Sequence, residues 1–291
     1  MKKDGINVLS LFDGMSCGRI ALEKSNIKVK KYYASEIDSA AIKVSKHNYP
    51  DIIHLGNVQD WMNWDINWSE IDLVIAGSPC QGFSSIGKQL NFNDPRSALF
   101  FVFIDICNHI IDFNPQMEFL LENVNMKKDY IEVINKYTGV QPVKINSKII
   151  TAQSRTRLYW TNIKPKTELI DLNIKVIDIL EKEVDEKYFL TGKRLESWHL
   201  KGEDRCKKRF SSLDTDKAVC MTTRQFANWY GNHVTQNGRI RQLTPIECER
   251  LQSVPDDYTS CVPDNKRYEM LGNGWTVDVI AHFFKGLQNG K

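Results

Sequence analysis

The sequence predicts an α/β protein built on a doubly wound parallel sheet. Three observations lead to this prediction. Apolar runs rich in β-branched residues alternate with helix-like segments through the first half of the chain, a glycine-containing turn follows the first run, and polar residues follow directly on later runs. Such alternation builds a parallel sheet with helices on both faces, and ligands bind where its strands end.

The elements follow one another in the order β, α, β, α, β. We predict strands at 6–12, 31–35, 71–76 and 119–121, and helices at 18–24, 39–47 and 98–111. The strands are short apolar runs, whereas the helices are longer segments with helical periodicity. A last apolar helix is predicted at 277–287, after a long polar region.

Composition bounds the class of protein. The 291 residues, 42% of them hydrophobic, suffice for one large domain and a smaller one. After Trp160 the chain becomes rich in charged residues and turn formers, so we expect a large domain of residues 1–164 and 260–291 around a small domain of residues 165–259. The net charge of +3 neither supports nor excludes a nucleic-acid partner.

The seven cysteines indicate a reduced protein without a metal site. They form no Cys-x-x-Cys pair and show no spacing suited to zinc, which is typical of a cytoplasmic protein. No apolar run approaches the roughly 20 residues that would span a membrane. We therefore expect a cytoplasmic protein with no metal and no membrane partner.

A candidate nucleophile follows the strand predicted at 71–76. The tetrad Ser78-Pro79-Cys80-Gln81 comes directly after this run, so Cys80 is delivered to the carboxyl end of a strand, where α/β sheets hold their ligands. A free cysteine in a buried structural position is the alternative.

A candidate cofactor turn lies between the first strand and the first helix. Residues 12–18 place glycines at a helix amino end, where backbone N–H groups meet nucleotide-type cofactors. The spacing is Gly-x-x-x-Gly and lacks the Gly-x-Gly-x-x-Gly of dinucleotide binders, which argues against a dehydrogenase. Glu36, directly after the second strand, suits ribose hydroxyls. A turn without a ligand, and an acid that only favours a helix amino end, as Asp38 could, remain open.

Six groups of residues together resemble the motifs of the DNA (cytosine-5)-methyltransferases, in that family's usual order. They are Phe12-Asp13-Gly14, Gly77 to Ser84 around Cys80, Glu122-Asn123-Val124, Gln153-Ser154-Arg155-Thr156-Arg157, Arg241 to Pro245 with Arg250-Leu251-Gln252, and Gly272-Asn273-Gly274. The resemblance implies a Rossmann-like sheet that uses S-adenosylmethionine, with helices on both faces, and a small target-recognition domain. The large domain would then be the catalytic, cofactor-binding domain.

The resemblance also implies a division of catalytic work. Cys80 would add as a thiolate to carbon 6 of cytosine, so that carbon 5 can attack the methyl group of the cofactor. Glu122 would act in its protonated form as a general acid at the N3 and N4 edge of the base. Arg157 would donate to the cytosine O2, with Arg155 nearby and on phosphate. A structural ion pair is the alternative for either arginine.

For the cofactor, the resemblance assigns an aromatic and acidic pocket. Phe12 would stack near the adenine, Glu36 would bind the ribose, and the backbone around Gly14 and Gly18 would hold the methionine part. The other implied cofactor residues are Asp13, Ile37, Asn57, Pro79, Leu99, Asn273 and Gly274. Asn57 departs from the family, which usually has Asp there. Because an amide oxygen accepts without charge, we expect weaker cofactor binding than an Asp would give.

Double-stranded DNA is the partner that the resemblance implies. A cytosine inside a duplex cannot reach Cys80, so the base would be flipped out and the polar segment 82–89 would close over it. The residues implied on DNA are Gln81, Ser84, Ser85, Lys88 and Arg224. Sequence recognition is expected at 165–240, where basic and aromatic residues mix, although an ordinary solvated face would show a similar composition.

Two other functions stay open. Small relatives of the same fold methylate tRNA, and Cys220-Met221-Thr222 faintly echoes their Cys-Phe-Thr, but Ser78-Pro79-Cys80 does not match their Pro-Pro-Cys. A catalytically silent DNA-binding relative is the second, although Cys80, Glu122 and Arg157 are all present. The chain looks like a free-standing bacterial or phage enzyme, for which a restriction-modification role follows by association. The recognition sequence and the oligomeric state are not predicted.

Overall fold

The computed structural model describes residues 5–78, 95–207, 212–226 and 231–287, with the side chains of 95–97 and 201–207 left out. The chain forms two compact units. The first unit comprises residues 1–145, 156–168 and 280–291, and the second comprises 146–155 and 169–279. The second unit thus takes in 146–155 and 260–279, which the sequence analysis placed in the large domain.

The described residues of the two units form strands, α-helices and short 3₁₀ helices. The strands are β1 (Ile6–Leu11), β2 (Val29–Ser35), β3 (Ile53–His54), β4 (Ile71–Ala76), β5 (Glu118–Val124), β6 (Val143–Asn146), β7 (Gln153–Ser154), β8 (Thr156–Thr161), β9 (Ser212–Leu213), β10 (Ala218–Val219), β11 (Asn232–Gln236) and β12 (Arg239–Gln242). The α-helices are α1 (Cys17–Lys24), α2 (Ser39–Asn48), α3 (Pro95–Phe113), α4 (Lys128–Thr138), α5 (Val176–Ile179), α6 (Gly192–Lys207), α7 (Pro245–Leu251), α8 (Asp264–Asn273) and α9 (Val277–Phe284). Short 3₁₀ helices lie at Val58–Asn63, Trp68–Glu70, Ser147–Ile149 and Glu186–Tyr188.

The central sheet of the first unit has the strand order β3-β2-β1-β4-β5-β8-β6. β1 pairs in parallel with β2 and β4, β2 with β3, and β4 with β5, which confirms the predicted α/β class. β8 runs antiparallel to β5, so the sheet is mixed and not wholly parallel as predicted. The strand order reverses direction between β1 and β4, and ligands of such sheets bind at the crevice beside that point.

Burial explains why these residues form the central strands. Every residue of β1 and β4 is buried, as expected for strands covered on both faces. The core continues into α3, where Phe100, Phe103 and Ile106 are at most 1% exposed. Leu99 of α3 is partly buried against the same core.

Several element boundaries differ from the prediction, and β1 and β5 show the physical reason. The first strand ends at Leu11 and not at Phe12, because Phe12 adopts a φ of 57° and leaves the extended conformation. β5 runs from Glu118 to Val124, longer than the predicted 119–121. The apolar pattern missed its polar ends because Glu118, Glu122 and Asn123 are buried in the strand.

The second unit is held by small sheets and buried ion pairs. β9, β11 and β12 form one sheet, and β7 pairs with β10. Arg241 makes a bidentate ion pair with Glu247, in which Nη1 and Nη2 donate to the two carboxylate oxygens at 2.8 and 2.7 Å. Both side chains are fully buried. Glu247 also closes the capping box of α7 with Thr244. Removing one partner of such a pair strands a buried charge, so this pair helps to define the unit's fold.

A membrane-spanning helix and a metal-binding cluster are both absent from the described ranges. No helix there is long and apolar enough to cross a membrane. No cluster of three or more His, Cys, Asp or Glu side chains suited to a metal ion occurs in the same residues.

Candidate active site

The carboxyl ends of β1, β4 and β5 bring the candidate catalytic and cofactor segments to one edge of the sheet. The Phe12–Gly14 turn follows β1, Ser78 lies two residues after β4, and Glu122 stands near the end of β5. Because these three strands are parallel neighbours, their ends point the same way. This edge of the first unit is the candidate active site.

The turn after β1 has an unusual backbone. Phe12, Gly14 and Ser16 have φ angles of 57°, 58° and 64°. A Cβ added at Gly14 would meet no heavy atom within 4 Å, so the space above this residue is open. Gly18 is buried in the first turn of α1. An open glycine turn at a helix amino end can receive a polar ligand on its backbone N–H groups.

Glu36 fits the predicted ribose site better than Asp38 does. One Glu36 oxygen accepts from the Gly14 N–H at 2.8 Å, and the other accepts from the N–H groups of Ile37 and Asp38 at 2.7 and 2.8 Å. Asp38 instead caps α2, because its carboxylate accepts from the backbone N–H groups of Ala40 and Ala41. The helix-end alternative therefore describes Asp38, while Glu36 lies beside the candidate cofactor turn.

The residues expected around the adenine are open to solvent. Ile37 is 75% exposed, an unusual exposure for a large apolar side chain. Gly56, at a φ of 78°, has no heavy atom within 4 Å of an added Cβ. Asn57 is exposed, and its side-chain oxygen accepts from the Gln59 N–H at 3.1 Å, which caps the 3₁₀ helix that follows.

The donor set of this edge fits S-adenosylmethionine. A carboxylate suits the ribose hydroxyls, an exposed aliphatic side chain suits an adenine face, and a side-chain amide oxygen suits an exocyclic amino group. Glu36, Ile37 and Asn57 supply these three groups, and the open space at Gly14 leaves room for a ligand beside the turn.

Asp13 does not face the solvent side of this turn. Its side chain is buried, and it accepts hydrogen bonds from Tyr32 at 2.8 Å and from Ser16 at 2.5 Å. Burial raises the pKa of Asp13 to about 6, while the hydrogen bonds from Ser10, Ser16 and Tyr32 oppose that rise. The Asp13 side chain therefore acts on the candidate cofactor site indirectly, through the turn, and not by the direct contact that the sequence predicted.

The candidate catalytic residues Glu122 and Arg157 are brought together. Arg157 donates from Nε to Oε1 of Glu122 at 3.0 Å, and both side chains are less than 15% exposed. The pairing of β5 with β8 explains this contact, since Glu122 lies opposite Tyr159 and Arg157 lies opposite Val124, two positions along.

Asn123 had no assigned role in the sequence analysis, yet it connects two motifs. Its buried amide group donates to Oγ of Ser78 at 3.1 Å. Ser78 immediately precedes Pro79 and Cys80 in the chain. The contact therefore ties the end of β5 to the start of the segment that carries the candidate nucleophile.

Arg155 lies in the second unit and is almost fully buried. The guanidinium is committed to backbone carbonyls: it donates to Met221 at 3.1 Å, to Gly272 at 3.0 Å and to Gly274 at 2.9 Å. Its residue exposure is 3%. This placement supports a structural role, not the expected phosphate contact, because carbonyl oxygens already accept its hydrogen bonds.

A second side chain of this unit, that of Gln252, also holds the motif at 272–274. Gln252, to which no role had been assigned, donates to the carbonyls of Leu271 and Gly274 at 2.8 and 3.1 Å. Asn273 is the exposed last residue of α8, and Gly274 follows it as the C-cap.

Arg224 lies on the surface of the second unit. The described residues do not include segment 82–89 or the other predicted residues near it, which are Pro79, Cys80, Gln81, Ser84, Ser85 and Lys88.

The fold and this edge define an α/β enzyme class that binds a nucleotide-type cofactor at the ends of its parallel strands. The sequence model of the family described as C-5 cytosine-specific DNA methylase matches residues 6–289. The chain therefore belongs to the C-5 cytosine-specific DNA methylases and is a methyltransferase, which confirms the resemblance seen in its motifs.

Individual relatives agree with this membership. The chain is 31% identical to the type II methyltransferase M.DsaV of Dactylococcopsis salina, over 96% of this chain and 85% of that protein. It is 29% identical to the type II methyltransferase M.NlaX of Neisseria lactamica, over 94% of this chain and 93% of that protein. The fold resembles that of the Entamoeba histolytica methyltransferase EhMeth, with a TM-score of 0.76, 19% identity and 98% coverage of each chain.

Proposed function

We propose that this protein transfers the methyl group of S-adenosylmethionine to carbon 5 of a cytosine flipped out of double-stranded DNA, through a covalent adduct between Cys80 and carbon 6. The observation that carries this proposal is the buried Glu122–Arg157 pair at the end of β5. Asn123, the next residue of that strand, holds Ser78 two positions before Cys80. A proton donor, a cation and a thiol are the three groups that nucleophilic addition to a cytosine ring requires.

The thiolate of Cys80 starts the reaction by adding to carbon 6. The new S–C6 bond takes the place of the C5–C6 π bond, and the displaced electron pair moves into the ring. Glu122 donates a proton at N3, so the ring becomes a neutral enamine with a nucleophilic carbon 5. Carbon 5 would then take the methyl group, with the electron pair of the broken bond staying on the cofactor sulfur. Carbon 5 afterwards loses its proton to a base, elimination of the Cys80 thiolate restores the C5–C6 double bond, and N3 returns its proton to Glu122.

Arg157 serves two ends of this chemistry. Its Nε donates to Oε1 of Glu122 at 3.0 Å, which orients that carboxyl group. Nη1 of Arg157 donates to the Thr156 carbonyl at 2.9 Å. A guanidinium has five N–H donors, and the family resemblance assigns this group a donation to the O2 of the cytosine. Because both side chains are largely buried, these interactions act with little competition from water.

Bound S-adenosylmethionine would supply an electrophilic methyl group on a positively charged sulfur. Glu36 would orient its ribose, Ile37 would pack against its adenine, and Asn57 would accept from the adenine amino group. Phe12, Leu99, Asn273 and Gly274 complete the set that the family resemblance assigns, and the backbone at Gly14 and Gly18 would hold the methionine part.

The second unit would provide target recognition and, with Gln81, Ser84, Ser85 and Lys88, the contacts to DNA. Arg224 is the exposed basic side chain there that we assign to this surface. Lysine and arginine on such a surface supply phosphate contacts, and groove-facing side chains read the bases. Relatives named type II methyltransferases support a role in restriction-modification or in related DNA marking.

Bisulfite sequencing of DNA from a methylation-deficient host tests the proposal. The host expresses the wild-type chain, Cys80→Ala, or the matched control Cys261→Ala, which changes a partly exposed free cysteine of the second unit. We expect protected cytosines in one short sequence context with the wild type and with Cys261→Ala, and none with Cys80→Ala. Full protection with Cys80→Ala would overturn the covalent mechanism.

A second assay separates DNA from RNA as the substrate. Purified wild-type protein is given S-adenosylmethionine labelled in the methyl group, together with duplex DNA or with tRNA. We expect label in the duplex at carbon 5 of cytosine and none in tRNA. Label in tRNA alone would replace the DNA proposal with the tRNA alternative.

A further inference from the structure

The turn that would hold the cofactor needs a device to keep its backbone in place. Phe12 and Ser16 are not glycines, yet they have φ angles of 57° and 64°. Side chains with a Cβ are strained in this region, and such strain persists only where the surrounding structure enforces it. The residue between the two positive-φ positions Phe12 and Gly14 is Asp13.

Asp13 is anchored on three sides. Its N–H donates to the Ser35 carbonyl at 3.1 Å, which ties the turn to the end of β2. One carboxylate oxygen accepts from the Tyr32 hydroxyl at 2.8 Å, and the other accepts from the Ser16 hydroxyl at 2.5 Å. Tyr32 is 1% exposed and Ser16 is fully buried, so these bonds compete little with water.

The hydrogen bonds continue beyond Ser16 to the other side of the candidate cofactor site. The hydroxyls of Ser16 and Ser45 are 2.7 Å apart, and Ser45 lies 3.5 Å from Nε2 of His54. His54 ends β3, two residues before Gly56. The chain of groups thus runs beneath the site from the Gly14 turn to the Gly56–Asn57 segment.

We propose that Tyr32, Asp13, Ser16, Ser45 and the partly buried His54 form a relay in which Asp13 is a positioning residue that holds the cofactor turn in its binding conformation. This inference rests on the proposed function, because it takes S-adenosylmethionine to be the ligand of that turn. It assigns the acid after Phe12 a role beneath the cofactor and not in contact with it.

The relay has two forms, which differ by one proton on Asp13. When Asp13 is ionised, Ser16 donates to it, Ser45 donates to Ser16, and His54 donates from Nε2 to Ser45. When Asp13 carries a proton, it donates to Ser16, both serines turn round, and His54 accepts at Nε2 with its own proton on Nδ1. The ionised form makes the stronger bonds to the turn, because the hydroxyls of Ser16 and Tyr32 then donate to charged oxygens of Asp13.

The burial of Asp13, and the groups that face it, place the change of form of the relay near pH 6. Burial raises the pKa of Asp13 to about 6, opposed by the hydrogen bonds from Ser10, Ser16 and Tyr32, and Glu36 after β2 raises it further. Burial and Lys46 of α2 lower the pKa of His54, while Glu36 opposes them.

Calorimetric titration with S-adenosylmethionine tests the relay without requiring methyl transfer. At pH 7.5 we expect Asp13→Asn, which resembles the protonated form, to raise the Kd about tenfold, the scale of one charge-assisted hydrogen bond. The wild-type Kd should rise towards the same value as the pH falls through about 6, whereas that of Asp13→Asn should stay flat. Asp38→Asn, which keeps its helix cap, is the matched control and should bind as the wild type does.

Two further readouts keep the proposal falsifiable if Asp13→Asn does not fold. Tyr32→Phe removes one donor but leaves the carboxylate, so it should weaken binding a few-fold and raise the pH of the midpoint. The ¹⁵N resonances of His54 should change from the Nε2–H form to the Nδ1–H form over the same pH range. Unchanged affinity, midpoint and His54 tautomer would overturn the relay.

Failure of the proposed function gives a different pattern. A folded wild-type protein that binds no S-adenosylmethionine at any pH would contradict the proposed function, and with it the cofactor role of the turn. Equal Kd values of the wild type and Asp13→Asn for S-adenosylmethionine at pH 7.5 would contradict the relay but not the proposed function.

Discussion

Arg157 reaches across from β8 and donates through Nε to Oε1 of Glu122 on β5 at 3.0 Å. The two residues come from motifs more than thirty positions apart in the chain. They meet because β5 and β8 pair antiparallel, which puts them on one face of neighbouring strands. This contact orients the carboxyl group from which the proposed mechanism takes its proton.

Glu122→Gln should abolish most methyl transfer. Glutamine has nearly the same shape but carries no acidic proton, so addition of Cys80 to the ring loses its general acid. We expect kcat to fall by about 10²- to 10⁴-fold, the usual contribution of general acid catalysis. Transfer of labelled methyl groups to duplex DNA measures it. Glu132→Gln, at an exposed position of α4, is the control and should retain full activity. A loss below about tenfold would contradict the role of Glu122.

Arg157→Lys should lower kcat although it keeps the positive charge. A lysine ammonium cannot hold Glu122 and the base oxygen at once with the planar geometry of a guanidinium. Since both residues serve one step, the double variant with Glu122→Gln should lose little more activity than Glu122→Gln alone. Steady-state kinetics of the three variants test this. Losses that multiply would show that the two side chains act independently.

Asn57→Asp should tighten cofactor binding. The charged oxygen of an aspartate accepts more strongly from an amino group than an amide oxygen does, so we expect the Kd for S-adenosylmethionine to fall several-fold. Aspartate can cap the following 3₁₀ helix as well as asparagine does, which leaves the local fold intact. Asn67→Asp, at the start of the next 3₁₀ helix, is the control. No gain in affinity would remove Asn57 from the adenine site.

Gly272→Ala should destabilise the protein. The added Cβ would lie 2.3 Å from the carbonyl carbon and oxygen of Thr222, which is far closer than atoms pack. Overpacking of this kind costs about 1–3 kcal/mol or more, so the thermal midpoint should drop by several degrees. Gly139→Ala, which meets no atom within 4 Å but has a φ of 72°, should cost only about 1 kcal/mol of backbone strain. Equal midpoints for the two variants would contradict the close contact at Gly272.

Asp13 should make folding stability depend on pH in an unusual direction. Because its folded pKa of about 6 exceeds the ordinary 3.8, the contribution of this group to stability is fully present below pH 3.8 and is lost as the pH rises through 6. The shift corresponds to a contribution on the order of 3 kcal/mol. The unfolding free energy of Asp13→Asn relative to the wild type should therefore increase between pH 4 and pH 7.5.

Urea unfolding of the wild type and of Asp13→Asn at several pH values measures this difference, since the other titrating groups are common to both proteins. A constant difference across the range would show that Asp13 keeps an ordinary pKa. Together with the binding experiment, the expected result would mean that the protein gives up stability at neutral pH to keep an ionised group beneath the cofactor turn.

The local pattern of the sequence predicted much of the first unit. Apolar runs located β1 and β4 because strands buried on both faces are rich in apolar residues. It failed at the ends of elements. Phe12 continues the apolar run but leaves the strand, and Glu122 lies in β5 although a buried acid breaks the pattern. In both places a contact from elsewhere in the chain overrides local preference.

By itself, the sequence determined the family and the α/β class, because these follow from residue types and their order along the chain, and it predicted the reacting groups. Only the tertiary structure decided which carboxylate does what. Glu36 faces the cofactor turn while Asp38 caps a helix, Asp13 points inwards to Tyr32 and Ser16, and Arg155 is used up by backbone carbonyls. The physical reason is that charge and hydrogen-bonding capacity belong to a residue, whereas the partner that satisfies them depends on which distant strand or turn lies opposite.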